Sequence, residues 1–353
     1  MEAVKIQGRK SYIDWLKALA IIGVIVDHVT TEWMLPELSA PRLGTYVFFY
    51  GFARYCVLIF FMATGVLLLN PEKELSVKDV VCRKIPHILI AAFCYGLVYK
   101  VLRVYLSGNY EGILPFIKSY LVDFVTGKME FHFWYIYALI GVYLSIPILR
   151  QFIKNAPRKT IEYFLVVWLI VNLFYLLGVN GYLTCFYYMF DQFHFMGIFT
   201  GYLGFTVLGY YLDRSAISRK GQRLITVIGV VWTLAAVCLS VYDLKMYGAV
   251  RVEYLALYSP CAVFLSVGLF LWAKNRAFRE ESRGYQWWCG IGRNTLGIYF
   301  IHMVFIIAFM QTGVVNVCRY PIIDVVLYSL VILLASYVIA MILRKLPIIG
   351  KWL

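Results

Sequence analysis

Two side chains capable of acid–base chemistry, Lys17 and His28, lie in the first long apolar stretch of the sequence, DWLKALAIIGVIVDH. On an α-helix their separation is roughly three full turns, which places both on one face about 16 Å apart along the axis. An imidazole titrates near neutral pH and can take a proton from a hydroxyl group, so His28 is a candidate general base. Lys17 is a candidate partner for an anionic group.

Three acidic residues accompany this pair. Asp14 lies three residues before Lys17, a spacing that allows an ion pair on one helix face. Glu32 shares the face of His28 at four residues, whereas Asp27 points about 100° away from it. A carboxylate from Asp27, Glu32 or another helix would orient the imidazole. In the alternative interpretation, Asp14 and Lys17 form a pair at the membrane interface and His28 is a structural histidine bonded to a neighbouring helix.

The composition assigns this polar stretch to a membrane protein. The 353-residue chain is 62% hydrophobic and 15% charged, with a mean hydropathy of +0.76. A soluble domain is about 45–50% apolar, so the sequence predicts an all-α integral membrane protein. The formal net charge of +14 is scattered over the segments between apolar runs. This distribution favours membrane topology over nucleic-acid binding as the reason for the charge.

Ten apolar segments are long enough to cross a bilayer as helices. Most lysines and arginines fall in alternate segments between them, which predicts that both termini are cytoplasmic. The first apolar run has no small-residue cleavage site, so it is expected to be a retained helix. Glycines in the sixth and ninth segments predict tilted or broken helices. The predicted spans, all within one transmembrane domain covering 1–353, are 12–34, 46–69, 86–106, 131–150, 161–179, 192–212, 223–241, 252–273, 290–312 and 321–343.

Four stretches together resemble the membrane acyltransferase-3 family of ten-helix O-acyltransferases. YIDWLKALAIIGVIVDHVTTEW is similar to the family's first helix, in which Arg or Lys precedes His by eleven positions, as Lys17 precedes His28. HFWYIYALIGVYLSIPILR (132–150), GYLGFTVLGYYLDR (201–214) and GRNTLGIYFIHMVF (292–305) are similar to its His-x-Trp-Tyr, Gly-Tyr-Tyr and Gly-x-Tyr-x-x-His helices. The subgroup that the chain most resembles is that of short, stand-alone surface-polysaccharide O-acetyltransferases. KDVVCRKIPHIL (78–89) departs from the family because it lacks the Arg-x-x-Arg spacing.

The resemblance implies transfer of an acyl group, most often acetyl, from cytoplasmic acyl-CoA to a hydroxyl of an extracytoplasmic or lipid-linked glycan. His28 would be the general base, and Lys17, Asp14 and Glu32 would complete the catalytic group. Direct transfer and a covalent acyl-enzyme are both open. Acyl-CoA would be a co-substrate, with no tightly bound cofactor and no metal. The implied location is the bacterial inner membrane; the acceptor's identity and the oligomeric state stay open.

Further polar residues are assigned to the two substrates. CoA phosphates need cations or free N–H groups, although Arg83 and Lys84 fit plain positive-inside charge equally well. Arg54, inside the second span, is the leading candidate to stabilise an oxyanion. The candidates for acyl-CoA binding are Lys17, Arg83, Lys84, Arg293 and Asn294. The candidates for the acceptor or the oxyanion are Arg54, His132, Tyr135, Tyr299 and His302.

Residues near the predicted outer ends of helices have simpler expected roles. Lys100 and Arg103 are expected to snorkel to the interface. Glu253 and Asp191 are expected to pair with cations or to face a sugar. Cys185 and Cys318 both lie in predicted outer loops, which leaves a disulfide between them open.

Two other function classes fit ten spans with polar residues inside them. One is a non-catalytic translocator of glycan or lipid, although transporters often have internal repeats and the sequence has none. The other is a membrane domain that binds a small ligand without turnover. Transfer of label from acetyl-CoA by the purified protein would distinguish an enzyme from both.

Overall fold

The computed structural model describes residues 10–34, 38–179, 185, 201–276, 278, 280–347 and 349–352. This part of the chain is helical and contains no strand, in agreement with the predicted all-α class. Short 3-10 turns at Phe131–Phe133, Glu253–Leu255 and Ile349–Trp352 and a π-helical turn at Val80–Lys84 supplement the α-helices. The helices are α1 (Ser11–Trp33), α2 (Ala40–Ala53), α3 (Cys56–Leu68), α4 (Val77–Asp79), α5 (Ile85–Ser107), α6 (Ile113–Thr126), α7 (Trp134–Asn155), α8 (Arg158–Val179), α9 (Leu203–Arg214), α10 (Arg219–Tyr247), α11 (Pro260–Asn275), α12 (Arg283–Arg293), α13 (Thr295–Thr312) and α14 (Pro321–Leu343).

Eight helical segments in the described residues are long and apolar enough to cross a membrane. They are Ala40–Leu68, Val77–Ser107, Phe131–Asn155, Arg158–Gly178, Arg219–Tyr247, Glu253–Asn275, Thr295–Thr312 and Pro321–Leu343. Helix α1 has a similar length but is not counted because it carries four charged side chains. Of the predicted span 192–212, residues 192–200 lie outside the described residues and the remainder contains α9. The chain is therefore a multi-pass membrane protein, and the number ten stays a prediction.

Three predicted spans are divided in the structure, and of these only the ninth, 290–312, was predicted to be tilted or broken. The predicted span 46–69 begins earlier, at Ala40, and is interrupted at Arg54 and Tyr55 between α2 and α3. The predicted span 290–312 is broken at Asn294, whose side-chain amide donates to the carbonyl of Gly290 at 2.7 Å. The predicted span 252–273 starts as a 3-10 turn and becomes α-helical only at Pro260, because proline suits the first turn of a helix.

Helix α6 occupies the segment between the predicted spans 86–106 and 131–150. Its only buried residue is Tyr120, so its apolar face lies on the outside of the bundle. Lys100 bonds Asp123 of α6 at 2.7 Å, and Arg103 bonds both carboxylate oxygens of Glu130 at 2.6 and 2.8 Å. Each of these two cations therefore has a carboxylate partner on the next segment, and their snorkelling to the interface stays a prediction.

The other outer-loop predictions have mixed outcomes. Cys185 and Cys318 are both free thiols, so the disulfide left open by the sequence is not formed. Glu253 is exposed and has no ion pair with a described residue. Asp191 lies outside the described residues.

Helix α1 lies at the centre of the bundle, packed against α2, α3, α11, α12, α13 and α14. About half of its 23 residues are buried, including Asp14. Close packing requires glycine on the facing helices. A Cβ atom at Gly292 of α12 would lie 1.8 Å from the carbonyl oxygen of Asp14. The surrounding helices therefore shield the charged residues of α1 from lipid.

Helices α3 and α9 approach each other through reciprocal glycines. A Cβ atom at Gly65 would lie 1.8 Å from the carbonyl oxygen of Thr206, and one at Gly209 would lie 2.1 Å from that of Met62. Small residues at such contacts let helix backbones meet closely, which is a common mode of packing in membranes. These two glycine contacts hold α3 closely against α9, and α3 also packs against α1.

We expect Gly65→Ala to destabilise the protein by about 1–3 kcal/mol, because the added methyl group would collide with backbone atoms of α9. Gly141→Ala is the matched control: a Cβ atom there meets nothing within 4 Å, so helix propensity should stabilise it by about 0.5–1 kcal/mol. Denaturant titration of both variants in the same detergent measures the difference. Equal effects of the two substitutions would contradict the packing described for α3 and α9.

Candidate active site

A basic cavity of about 450 Å³ opens between α1, α3, α5, α7 and α13. Lys17 of α1, together with Arg83, Lys84 and His87 at the start of the α5 segment, supplies its basic groups. The π-helical turn at Val80–Lys84 precedes α5 directly, and such turns often occur at functional sites. Arg83 is also paired with Asp79 at 2.7 Å. The structure thus brings together three of the five residues predicted to bind acyl-CoA.

The remaining two predicted acyl-CoA ligands do not line the basic cavity. Arg293 directs its guanidinium to the carbonyls of Cys289 and Gln286 on its own helix. Asn294 is buried at the α12–α13 break and accepts a 2.7 Å hydrogen bond from Arg344. Both side chains therefore form hydrogen bonds near the helix break. The next residue, Thr295, lines the basic cavity.

A second cavity, of about 240 Å³, is lined by His28, His132 and aromatic side chains, and we call it the histidine cavity. Asp27 and Arg54 also line it. It shares three residues with the basic cavity, namely Phe60, Tyr135 and Tyr299. Lys17 therefore lines one cavity and His28 the other, and the three shared aromatic rings lie where the two cavities adjoin.

Three histidines from distant parts of the chain meet beside this cavity. The ring centroids of His28 and His302 are 5.2 Å apart, those of His132 and His302 are 5.6 Å apart, and those of His28 and His132 are 6.3 Å apart. His132 and His302 are almost completely buried, whereas His28 is half-buried and reaches the cavity. In the described part of the chain, these histidines do not form a group that could hold a metal ion.

Hydrogen bonding fixes the tautomer of one histidine. The Nδ1 atom of His302 lies 2.6 Å from the carbonyl oxygen of Tyr299. A carbonyl can only accept, so this nitrogen carries the proton and Nε2 is left as an acceptor. The Nε2 atom of His302, the Nδ1 atom of His28 and both ring nitrogens of His132 are buried without a partner among the described residues. Unpaired buried nitrogens of this kind are costly, so such a cluster indicates a function.

Two hydrogen bonds and one ring contact hold Arg54 at the junction of α2 and α3. Its guanidinium donates to Asp27 at 2.8 Å and to the carbonyl of Leu255 at 2.8 Å, and it lies over the ring of Tyr50. Asp27 is therefore engaged by Arg54, and the expectation that it could orient His28 is not met. The charges of Arg54 and Asp27 therefore offset each other, and both side chains form part of the cavity wall.

Two residues predicted to be catalytic lie outside both cavities. Asp14 is buried where α1 meets α12, near the other end of α1 from His28. Glu32 forms no hydrogen bond with His28 and lies near Arg103 and Glu130 instead. No carboxylate in the described residues bonds the His28 ring, so the predicted carboxylate–imidazole arrangement is not formed.

Several cavity residues were missed by the sequence reasoning. Phe60 separates the cavities, and Trp134 and Tyr202 line the histidine cavity with their rings 5.5 Å apart. Tyr299 was predicted, but its hydroxyl is already committed, donating to the carbonyl of His132 at 2.5 Å. The aromatic character of these residues also fits a lipid-facing belt, so no sequence signal distinguished them.

A comparison with protein families identifies the chain. The profile of the acyltransferase-3 family, described as an acyltransferase domain, matches residues 10–345. The chain belongs to the acyltransferase-3 family. The match covers all the helices that line the two cavities, so this protein is a membrane acyltransferase in which the histidine and basic cavities are the candidate active site. Neither the curated proteins nor the solved structures include a significant match to it.

Proposed function

We propose that the protein transfers an acyl group, most often acetyl, from acyl-CoA to a hydroxyl of an extracytoplasmic or lipid-linked glycan. The observation that carries the proposal is the adjacency of the two cavities across Phe60, Tyr135 and Tyr299. A cavity with lysine and arginine suits a phosphate-bearing donor. A cavity with unpaired imidazoles and aromatic rings suits a hydroxylated acceptor. The proposed setting is the bacterial inner membrane, with both termini in the cytoplasm.

The donor would bind with its phosphates near Lys17, Arg83 and Lys84. Its thin pantetheine arm would run along α1 toward the aromatic partition, which brings the thioester to the edge of the histidine cavity. Arg293 and Asn294 are left out of this proposal because their side chains are engaged at the helix break. The rise of α1 sets the distance the arm must cover, roughly 16 Å from Lys17 to His28.

His28 would act as the general base. Its ring takes the proton of the acceptor hydroxyl while the acceptor oxygen attacks the thioester carbonyl. The carbon–sulfur bond then breaks, and the departing thiolate receives the proton from the imidazolium. The products are an ester of the acceptor and free CoA. This direct route needs no group beyond the base and an oxyanion donor.

Tyr135 is the better oxyanion candidate than Arg54. Its side chain lines both cavities at their junction, and its hydroxyl has no hydrogen bond with a described residue. Arg54 already uses two guanidinium nitrogens on Asp27 and Leu255. A hydroxyl that is free to turn toward the developing charge is suited to this role.

His302 would orient His28 in place of a carboxylate. Its Nε2 atom can only accept, and the Nδ1 atom of His28 needs a partner, so a hydrogen bond or one bridging water between these nitrogens would satisfy both. The Nε2 atom of His28 would then carry the lone pair toward the acceptor. Under this proposal His302 is a positioning residue, because it does not line the cavity.

The decisive experiment incubates purified protein in lipid nanodiscs with acetyl-CoA labelled in the acetyl group and envelope glycan as acceptor. We expect transfer by the wild type and a loss of at least about 100-fold for His28→Ala, because a positioned general base contributes 10²–10⁴-fold. The variant should remain monodisperse on size exclusion. Tight acetyl-CoA binding without turnover by the wild type would favour the ligand-binding alternative, and wild-type turnover by the variant would refute the base.

The donor site predicts a separation of kinetic constants. Lys17→Ala should raise the KM for acetyl-CoA roughly tenfold or more, since a charge-assisted hydrogen bond to phosphate is lost, while kcat changes little. Lys78→Ala is the matched control, because that exposed lysine lies one turn before the cavity residues and lines neither cavity. An equal KM effect for the two lysines would indicate general surface charge instead of a site.

The positioning role of His302 predicts rescue by a residue that can accept a hydrogen bond. His302→Leu should lower kcat about 100-fold with an unchanged KM for acetyl-CoA, whereas His302→Gln should retain activity within about tenfold, because its amide oxygen can accept from His28. Initial-rate measurements on both variants test this. A purely structural role would make the two variants equally impaired and would change KM along with kcat.

A further inference from the structure

A groove rich in arginine lies between α10 and α11, away from both cavities of the proposed active site. Arg219, Arg223 and Val227 follow one another at four-residue intervals on α10, so they share one helix face. Trp272 and Arg276 of α11 form the opposite wall, and the groove encloses about 520 Å³. We call it the arginine groove.

The groove lies at the end of the bundle where α1 begins. Lys274, beside it on α11, donates to the carbonyls of Leu212 and Ser215, and Asp213 in the same turn accepts from Lys10 before α1. By its loop charges this end is predicted to be the cytoplasmic interface. A side chain in the arginine groove is therefore at the level of lipid headgroups.

The positive charge of the groove has no acidic partner among the described residues. Arg219, Arg223 and Arg276 are exposed, and none forms an ion pair within the ranges that the structure describes. The guanidinium of Arg276 lies 4.8 Å from the centre of the Trp272 ring, which holds it at the groove wall. The first turn of α10 adds the backbone N–H groups of Arg219 and Lys220, whereas those of Gly221 and Gln222 already donate to Ser218.

The floor of the groove is set by glycines. A Cβ atom at Gly268 would lie 2.8 Å from the Thr226 hydroxyl, and one at Gly229 would lie 2.8 Å from the backbone of Leu265. The two helices therefore meet closely on the bilayer-centre side of Arg223. This contact closes the groove toward the bilayer centre.

An apolar strip continues from the groove into the bilayer. Three residues lie on the face of α10 that points away from the bundle, with exposed fractions of 61%, 56% and 59%: Leu224, Val227 and Val231. These side chains would contact acyl chains while the arginines hold a charged group above them. A free anion would use only the arginines, whereas a phospholipid would use both parts of the surface.

We propose that the arginine groove binds the phosphate headgroup of an anionic membrane phospholipid, with its acyl chains lying on the apolar strip of α10. Basic pockets between helices at the cytoplasmic interface recognise such lipids in this way. Guanidinium groups suit phosphate because they donate two parallel hydrogen bonds. The proposal is independent of acyl transfer, since no groove residue lines either active-site cavity.

The test is a titration of detergent-purified protein with dibrominated phosphatidylglycerol or dibrominated phosphatidylcholine, followed by quenching of tryptophan fluorescence. The contribution of Trp272 is the difference between wild type and Trp272→Phe. We expect saturable quenching of Trp272 by phosphatidylglycerol and little by phosphatidylcholine. Combined replacement of Arg219, Arg223 and Arg276 by Ala should weaken phosphatidylglycerol binding about 100-fold, at roughly fivefold for each arginine.

The control variant replaces Lys154, Lys159 and Lys345 by Ala, which removes the same charge from exposed positions outside the groove. If the triple arginine variant is unstable, Arg223→Gln alone should still weaken binding about fivefold. Equal quenching by the two lipids, or equal loss in the control variant, would overturn the proposal. Displacement by millimolar inorganic phosphate or by acetyl-CoA would also overturn it, because the site would then belong to a soluble anion.

Discussion

The cost of placing polar side chains within a membrane governs this structure. Helix α1 carries Asp14, Lys17, Asp27 and Glu32 within its 23 residues, and a charged residue at the bilayer centre costs about 2.5–3.5 kcal/mol on insertion scales. The chain meets this cost by surrounding α1 with six other helices. Asp27 is further compensated by Arg54 at 2.8 Å. The polar face of α1 is thereby available for chemistry without exposure to lipid.

The elements with simple local causes were predictable from the sequence. Helix α14 matches its predicted span of 321–343 at both ends, because a proline begins a long apolar run in which Asp324 is the one charged residue. The interruption at Arg54 was not predictable, because it depends on bonds to Asp27 and to the distant Leu255 carbonyl. Helix α6 was missed because its 14 residues are too few to span a bilayer.

The sequence predicted several residues of the candidate site but not how those residues are arranged. Helical spacing alone put Lys17 and His28 on one face, and both line adjoining cavities. No periodicity connects positions 28, 132 and 302, so only the tertiary fold could bring those three imidazoles together. The expected carboxylate partner for His28 is absent from the described residues for a related reason, because Asp27 is paired with Arg54 at 2.8 Å. Which polar groups pair with each other depends on the whole bundle, so the pairing cannot be read from local sequence.

The aromatic partition has a consequence for the membrane as a barrier. Two polar recesses approach each other inside one bundle, and Phe60, Tyr135 and Tyr299 stand between them. A continuous file of water through the protein would let protons run down the transmembrane voltage, which is worth about 2.3 kcal/mol per charge at 100 mV. The three aromatic rings between the recesses would interrupt such a file of water. The same three side chains would thus limit the leakage of protons across the membrane through this protein.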